Sequence, residues 1–511
     1  MKEKKIVRDE VVKNAFYQSV LGIISKFGAL IFTVIIARVL FPEAFGIYSL
    51  ALTVILTIVT LSDLGIGTAI TRYVSDSLGK GNNASIKKEA RSRFLFLIKF
   101  KVISSIVLSI LLFFLAGVVA AIFKKPELAL PLQVGAIYLL IVSLYGIVGP
   151  IFLALEKVKY STIAESIFEI SRVALIFVFL YFYKNVASVF IVLFIALLLA
   201  IIYSFFVVRK RYKFLVSGKT RPVERRRLLL FSGFLALNSL NAVIFTNIDK
   251  LILGYFTIDA KFIGFYAAIF TVISGMIGLL GVGGVIFPVF VHSHGEKLKL
   301  AFRKTFHYLF LFTFPVTVGL AYAFVFLLRL LYGAAYVPVE YQLTIFITSI
   351  FLSTLVLEGI LTALYTTLFN AKEKPKWPAF IMIVAALLNT VLTYWFVLES
   401  IKIKPEYGLI GAALATFISR YVNLITLSAF AKKKFGITPN KSSIFKPLIA
   451  SAIMLGFMML FIYIFGQSTL SWFIMIICSM IVYWFIIFLL KGVKKEDLQM
   501  VKNSLFFQRK K

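Results

Sequence analysis

The stretch Phe45-Gly46-Ile47-Tyr48-Ser49-Leu50-Ala51-Leu52-Thr53-Val54-Ile55 returns 218 positions later as Ile263-Gly264-Phe265-Tyr266-Ala267-Ala268-Ile269-Phe270-Thr271-Val272-Ile273. Five of the eleven positions are identical, and each copy follows a short loop after a long apolar run. In a strongly hydrophobic chain such an echo implies two homologous membrane halves, with a substrate site expected between them. That organisation points to a transporter.

The surrounding composition agrees. The 511 residues are 61% hydrophobic, with a mean hydropathy of +0.97, whereas a soluble domain is roughly 45–50% apolar. The net charge of +33 would suggest nucleic acid in a soluble protein, but here its placement along the chain argues for membrane topology and against a nucleic-acid partner. The single cysteine, Cys478, lies in the last apolar segment, so no intramolecular disulfide forms. The basic start, residues 1–16, runs into an apolar stretch too long for a secretory signal and without a small-residue cleavage site; it reads as the first permanent helix.

A spanning helix needs about 20 mostly apolar residues. By that criterion fourteen spans are expected, near 16–40, 46–70, 94–122, 128–155, 162–182, 185–208, 230–256, 262–291, 305–331, 342–369, 379–398, 408–431, 447–466 and 470–490. An even number puts both termini on one side. With that side taken as inner, 43 of the 55 Lys and Arg fall in the inner segments, counting Lys99 and Lys101 at the inner end of the third span. Only 8 fall in outer loops or at the outer ends of spans (Arg38, Lys124, Lys125, Lys184, Lys261, Arg329, Lys402, Lys404), and Lys26, Arg172, Lys250 and Arg420 lie deeper within spans. The asymmetry predicts cytoplasmic termini, and a multi-pass protein of the plasma membrane is expected.

The largest inner loop, Arg209-Lys210-Arg211-Tyr212-Lys213 through Arg225-Arg226-Arg227, reads as a topogenic linker near anionic headgroups, or as a partner-binding segment. The expected division is an N-lobe of six spans (1–208), this linker (209–229), a C-lobe of six spans (230–431), and a terminal helix pair with a basic tail (432–511). Because the second half starts with an odd-numbered span, the repeat is parallel, about an axis along the membrane normal. The predicted fold is therefore an all-α integral membrane protein with two six-helix lobes plus a C-terminal helix pair.

The run Ala37-Arg38-Val39-Leu40-Phe41-Pro42-Glu43-Ala44-Phe45-Gly46-Ile47-Tyr48 resembles the opening of the polysaccharide transporter family, which includes the O-antigen flippases. So do Leu61-Ser62-Asp63-Leu64-Gly65-Ile66-Gly67 with Thr71-Arg72-Tyr73, and Asp249-Lys250-Leu251-Ile252-Leu253-Gly254-Tyr255-Phe256 followed by Ile263-Gly264-Phe265-Tyr266. Leu331-Tyr332-Gly333 with Tyr336 is similar to that family's outer loop between spans nine and ten. The resemblance implies a superfamily shared with multidrug extruders and the lipid II flippase: two lobes in a V around a cavity that opens alternately to either side. It also implies transport of polyprenyl-diphosphate-linked oligosaccharides, toward which the extra terminal pair tilts the reading. Other glycan-assembly proteins are then expected partners.

A diphosphate crossing hydrocarbon needs cationic and hydroxyl groups facing an internal cavity, and a charge at the bilayer centre costs at least ~2.5–3.5 kcal/mol. Lys26 sits about ten residues into the first span, roughly 15 Å; it either lines the cavity or snorkels to the interface, and lipid-carrying relatives keep cations on this helix. Arg420, with Asn423 one turn on, lines the cavity or pairs with an acid on a neighbouring helix. Glu165, Glu169 and Arg172 share one face of the fifth span, so Glu169 and Arg172 can pair while Glu165 reads as unpaired and interfacial. Asp249 and Lys250 point about 100° apart and need partners elsewhere, on a span made polar by Asn238, Asn241 and Asn247. Asp63 and Glu358 read as isolated acids, each a candidate for coupling to Na⁺ or H⁺ or for a buried salt bridge. Lys26, Arg172, Lys250 and Arg420 are thus the candidate substrate-binding cations, and Asp63, Asp249 and Glu358 the candidate coupling acids.

Other signals are weaker. His292 and His294, at i and i+2, do not share a helix face, and with His307 they are not expected to hold a metal. The glycine run Gly275, Gly278, Gly281, Gly283 and Gly284 with Pro288 lies inside a span; close packing and a bend explain it, and Gly281, Gly284 and Pro288 are a candidate hinge. No G-x-x-x-x-G-K-[ST] motif occurs, so ATP is not expected to power the chain, and no cofactor is expected. The reading is a non-enzymatic flippase for a lipid-linked oligosaccharide. A cation-coupled multidrug extruder is the alternative, and a membrane-embedded glycan polymerase or ligase is disfavoured because the outer loops are short.

Overall fold

The computed structural model describes residues 2–79, 83–223, 225–281 and 283–493; for 2–24, 26, 225, 227, 229–238 and 283–285 the description covers the backbone alone. No strand occurs among the described residues. The first part of the chain forms α1 (Lys2–Asp63), α2 (Ile66–Gly79), α3 (Ala84–Ile122), α4 (Ala129–Tyr145), α5 (Val148–Ala154), α6 (Val158–Phe182), α7 (Val186–Arg211) and the short α8 (Lys213–Val216). It continues through α9 (Arg225–Phe256), α10 (Ala260–Leu280), α11 (Gly283–His292), α12 (Gly295–Tyr332), α13 (Gln342–Ser353) and α14 (Leu355–Ala371). The last helices are α15 (Lys376–Ile403), α16 (Gly408–Phe435), α17 (Ser442–Phe465) and α18 (Thr469–Leu489).

Each predicted span falls on helical residues, but the boundaries between spans differ from expectation. Among the described residues, eleven helical stretches are long and apolar enough to cross a membrane. The first two predicted spans run together as α1 and α2, with a turn at Phe41 (φ 59°, ψ 172°) immediately before Pro42. The ring of Pro42 bars helical geometry at the residue before it. The fifth predicted span, in α6, carries Glu165, Glu169 and Arg172 and so falls outside a count by apolarity, and the count does not extend to the part of the seventh that lies outside the described side chains.

Four predicted spans are interrupted. The second breaks at Leu64-Gly65 (φ 42° and 68°), and the eighth between Leu280 and Gly283. The fourth breaks between Tyr145 and Val148, and the tenth at Thr354. Spans two and eight are repeat mates, and position 63, beside the first break, displaced by 218 is Gly281, in the second. Non-helical backbone within a membrane is tolerated where protein surrounds it.

By contact the chain divides into two compact units: residues 1–279, 331–338 and 386–415, and residues 280–330, 339–385 and 416–511. In the first unit α6 packs on α7 and α1, α3 on α4, α4 on α7, and α9 on α1. The core there combines small and aliphatic side chains such as Ile36, Leu50, Ala51, Ala69, Leu97 and Ala196 with the rings of Phe152 and Phe190, all fully buried. The two copies of the repeat touch backbone to backbone. A Cβ on Gly46 would collide with the carbonyl of Ala260, and one on Gly264 with the carbonyl of Pro42. Rings from Phe45, Tyr48, Phe265, Tyr332 and Tyr336 cluster around this contact. Tyr336 Oη donates to the Ala37 carbonyl (3.0 Å) and Arg38 Nε to that of Leu331 (2.7 Å), which ties residues 331–336 to α1.

In the second unit Phe302, Phe306, Phe310 and Phe314 stack one turn apart along α12. They face a core that includes Phe290, Leu368, Phe369 and Leu427. A second core joins α12 to the terminal helices through Leu311, Met454, Met458, Met475 and Tyr483. Outward positions such as Phe114, Phe177, Tyr463 and Phe485 are apolar and exposed, as a hydrocarbon solvent requires. The chain is a multi-pass membrane protein.

Candidate functional site

Among the described residues, charged groups within the helices gather in four places. The first lies at the Leu64-Gly65 break. Lys101, on α3 and 1% exposed, forms an ion pair with Asp63. Ser104 Oγ donates to the Ser62 carbonyl (3.0 Å), and the hydroxyls of Ser62, Ser143 and Ser105 form a chain at 2.7 and 2.6 Å. Gly146, at the break between α4 and α5, leaves room for the ammonium: a Cβ there would lie 3.1 Å from Lys101 Nζ. The ammonium therefore lies beside two adjacent helix ends, where the negative end of the helix dipole favours a cation. Asp63, expected to be isolated, is paired, and Lys101, counted with the terminal-side cations, is buried. Sequence position could not pair them, because Lys101 sits near one end of a long apolar run where a lysine ordinarily reaches water.

The second cluster joins α1, α4 and α6. Arg172 grips Glu169 through Nε and Nη2 at 2.9 and 2.6 Å, and its guanidinium lies over the rings of Phe32 and Phe168 at 4.9 and 4.7 Å. The pair shares a helix face at i and i+3, as the spacing allowed. Glu165 is not the unpaired interfacial acid expected: it accepts from Ser25 Oγ (3.1 Å) and Tyr145 Oη (2.5 Å). Gly28 packs against Glu169 so closely that a Cβ would overlap the carboxylate, which brings α1 onto α6. Lys26 belongs to this stretch of α1, but its side chain lies outside the described residues.

In the third place, on α9, Asp249 accepts from Tyr266 Oη at 2.5 Å, and Lys250 reaches Asn247 Oδ1 at 3.4 Å and lies 4.8 Å from the centroid of Phe270. Adjacent in sequence, the two charges do find separate partners. Tyr266 belongs to the repeated signature, a role the sequence did not suggest. Asn238 lies outside the described side chains. At the far end of α9 the buried Lys125 donates to the carbonyls of Gly254 (2.9 Å) and Thr257 (2.5 Å), closing the helix C-terminus. Burial there pushes its ammonium pKa below the ordinary lysine value.

The fourth place is in the second unit. Glu358, 1% exposed, lies 3.7 Å from Arg420 Nη1 and accepts from Thr362 Oγ1 at 2.6 Å. Glu358 and Arg420 are thus partners across α14 and α16, with Asn423 buried one turn beyond on α16. Tyr421 Oη donates to the Thr354 carbonyl (3.1 Å), which also accepts from the Glu358 N–H (3.2 Å), at the break between α13 and α14. Of the hinge candidates, Gly281 lies in the break between α10 and α11, and Pro288 is exposed within α11. Gly284 lies in the first turn of α11, and its side-chain surroundings lie outside the described residues.

An apolar cavity of ≈ 270 Å³ adjoins the terminal pair, lined by Phe312, Pro315 and Leu320 of α12, Met454 and Met458 of α17, and Trp484 of α18. It offers room for hydrocarbon and almost no polar groups.

Comparison with known proteins places this architecture. The structure matches a lipid II flippase, MurJ, in an inward closed conformation, with a TM-score of 0.73 over 92% of this chain and 97% of that one, at 18% identity. It matches an inward-facing MATE family multidrug resistance transporter of the MOP superfamily with a TM-score of 0.60 over 80% and 96%, at 14% identity. For the Vibrio cholerae MATE transporter VcmN the values are 0.53, 83% and 99%, at 12% identity. At these identities the likeness is one of fold. A comparison with curated protein sequences finds no match. The model of the polysaccharide biosynthesis protein family matches residues 11–294, more than half of the chain and both copies of the repeat, and the chain belongs to that family.

Proposed function

We propose that the chain is a flippase carrying a polyprenyl-diphosphate-linked oligosaccharide from the cytoplasmic to the outer leaflet of the plasma membrane by alternating access. The observation that carries this reading is the union of a polysaccharide biosynthesis family match with a fold shared along 92% of the chain with a lipid II flippase, against 80% with a multidrug transporter. The apolar cavity beside α17 and α18 suits a polyprenyl chain. Fourteen crossings with both termini in the cytoplasm follow from the distribution of Lys and Arg, and other glycan-assembly proteins deliver and receive the substrate.

In this reading Lys26, Arg172, Lys250 and Arg420 hold the diphosphate by charge-assisted hydrogen bonds. Arg172 and Arg420 already face Glu169 and Glu358, so a diphosphate reaching them exchanges places with a carboxylate. A Na⁺ or H⁺ gradient resets the carrier, with Asp63, Asp249 or Glu358 as the coupling acid. At Asp63 the cation position is held by Lys101, so coupling there requires that ammonium to move.

Glycan analysis of membranes from a deletion strain tests the reading. Accumulation of a lipid-linked intermediate on the inner leaflet is the expected result. Normal outer-leaflet display together with new drug sensitivity would replace it with a multidrug extruder. Lys26→Ala is expected to abolish export and Lys26→Arg to sustain it; normal export by the alanine variant at equal protein level removes Lys26 from the mechanism.

A further inference from the structure

The basic linker between α7 and α9 is docked onto the first turns of α3. Leu215 of α8 is fully buried. The backbone N–H of Arg221 donates to Ser92 Oγ (2.7 Å) and its Nη1 to Ser85 Oγ (2.9 Å), so this one residue runs along a face of α3. Arg91, 8% exposed, reaches up from α3 to the carbonyls of Lys219 (3.4 Å) and Val216 (3.5 Å). Gly218 (φ 124°) passes so near that a Cβ would lie 2.6 Å from Arg91 Nη1.

The charge balance here is unusual. Arg93, two residues on, is neutralised by Asp76 (3.1 Å) and Glu89 (2.6 Å). Among the described residues no carboxylate pairs with Arg91 or Arg221, and Arg91 Nε is buried without a hydrogen-bond partner. A buried guanidinium held only by two long carbonyl contacts is poorly compensated. The start of α3 adds to the positive field: its first turn has no acidic residue, and Asn83 makes no side-chain cap. Arg209, Lys210, Arg211, Lys213 and Lys219 around it are exposed.

We propose that Arg91, Lys219, Arg221 and Ser85 form a binding site for the phosphate group of a membrane lipid headgroup. A guanidinium presents five donors in a fork that matches phosphate oxygens, and Arg221 spends one on Ser85. The lipid source follows from the neighbours: Phe205, Phe206 and Val216 are exposed beside the cations, so the surface offers hydrocarbon and positive charge together, as a headgroup with acyl chains requires. The site stands apart from the transport reading, and its test reads binding alone.

The full-length protein is placed in nanodiscs after Cys478→Ser, with an environment-sensitive fluorophore on Thr220→Cys, and phosphatidylglycerol is increased against phosphatidylcholine. A saturating response is expected, weakened about fivefold by Arg221→Gln and about fivefold by Arg91→Gln. The combined variant Arg209→Gln, Lys210→Gln, Arg211→Gln is expected to weaken it less than either. Arg221 is exposed, so its variant reports even if the buried Arg91 is needed for folding. Inorganic pyrophosphate is expected to compete at constant ionic strength, where chloride does not. An unchanged response in Arg221→Gln, an equal or larger loss in the triple variant, or equal competition by chloride would overturn the site.

Discussion

The helix interruption at Leu64-Gly65 and its counterpart between Leu280 and Gly283 occupy equivalent places in the two repeats, yet they are built from different chemistry. The first is clasped by charge: Asp63 on one side of the break, Lys101 from α3, and serine hydroxyls linking α1, α3 and α4. The second is bracketed by Gly275, Gly278, Gly281, Gly283 and Gly284, and the chain passes there from one compact unit to the other. A broken helix needs room for its turn and partners for its loose carbonyls. A buried ion pair holds a break with a specific geometry and a large penalty if one partner is lost. Glycines allow one with little commitment to any one backbone conformation.

This contrast is open to direct attack. The largest effect is expected for Lys101→Met, which leaves Asp63 without its counter-charge; a loss of about 3 kcal/mol should appear as a lowered unfolding midpoint of the purified protein. Adding Asp63→Asn should restore a substantial part of it, and a double variant no more stable than the single one would show that the two groups are not coupled. Next come Gly46→Ala and Gly264→Ala, each forcing a methyl into an opposing carbonyl. Both should cost about 1–3 kcal/mol and to a similar degree, because the contact is reciprocal; a tolerated Gly264→Ala with a damaging Gly46→Ala would break the symmetry.

A smaller loss, about 1–2 kcal/mol, is expected for Glu358→Gln in the second unit. That pair is looser, at 3.7 Å, and an amide oxygen can still accept from Thr362. A loss as large as that of Lys101→Met would place the two ion pairs on the same footing. The smallest effect is expected at Gly281→Ala, within about 1 kcal/mol of the parent, since Gly281 is exposed and lies outside both flanking helices. A collapse of stability there would show that the second interruption is as constrained as the first.

Much of the architecture was legible because hydrocarbon imposes one rule along the whole chain. Every span must satisfy its own backbone, so long apolar helices are written locally, and the repeat at Phe45 and Ile263 survives as a pattern. The i, i+3 pairing of Glu169 with Arg172 was legible for the same reason, since both groups ride on one helix. The interruptions were not. Gly65 and Gly146 lie in runs apolar enough to read as continuous, and Thr354 carries no helix-breaking signal. The role of Tyr266 as the donor to Asp249 was hidden as well, because a tyrosine in an apolar run reads as packing.

By itself the sequence determined that this chain is helical, membrane-spanning, internally duplicated and asymmetrically basic, since each property depends on local hydrophobicity or on charge counted along the chain. Only the tertiary structure decided which acid meets which base. Asp63 takes Lys101, Glu358 takes Arg420, and Lys125 takes backbone carbonyls in place of any acid. The reason is physical: a charge buried in low dielectric binds the nearest opposite group or dipole that packing delivers, and nearness across helices is not written in sequence separation.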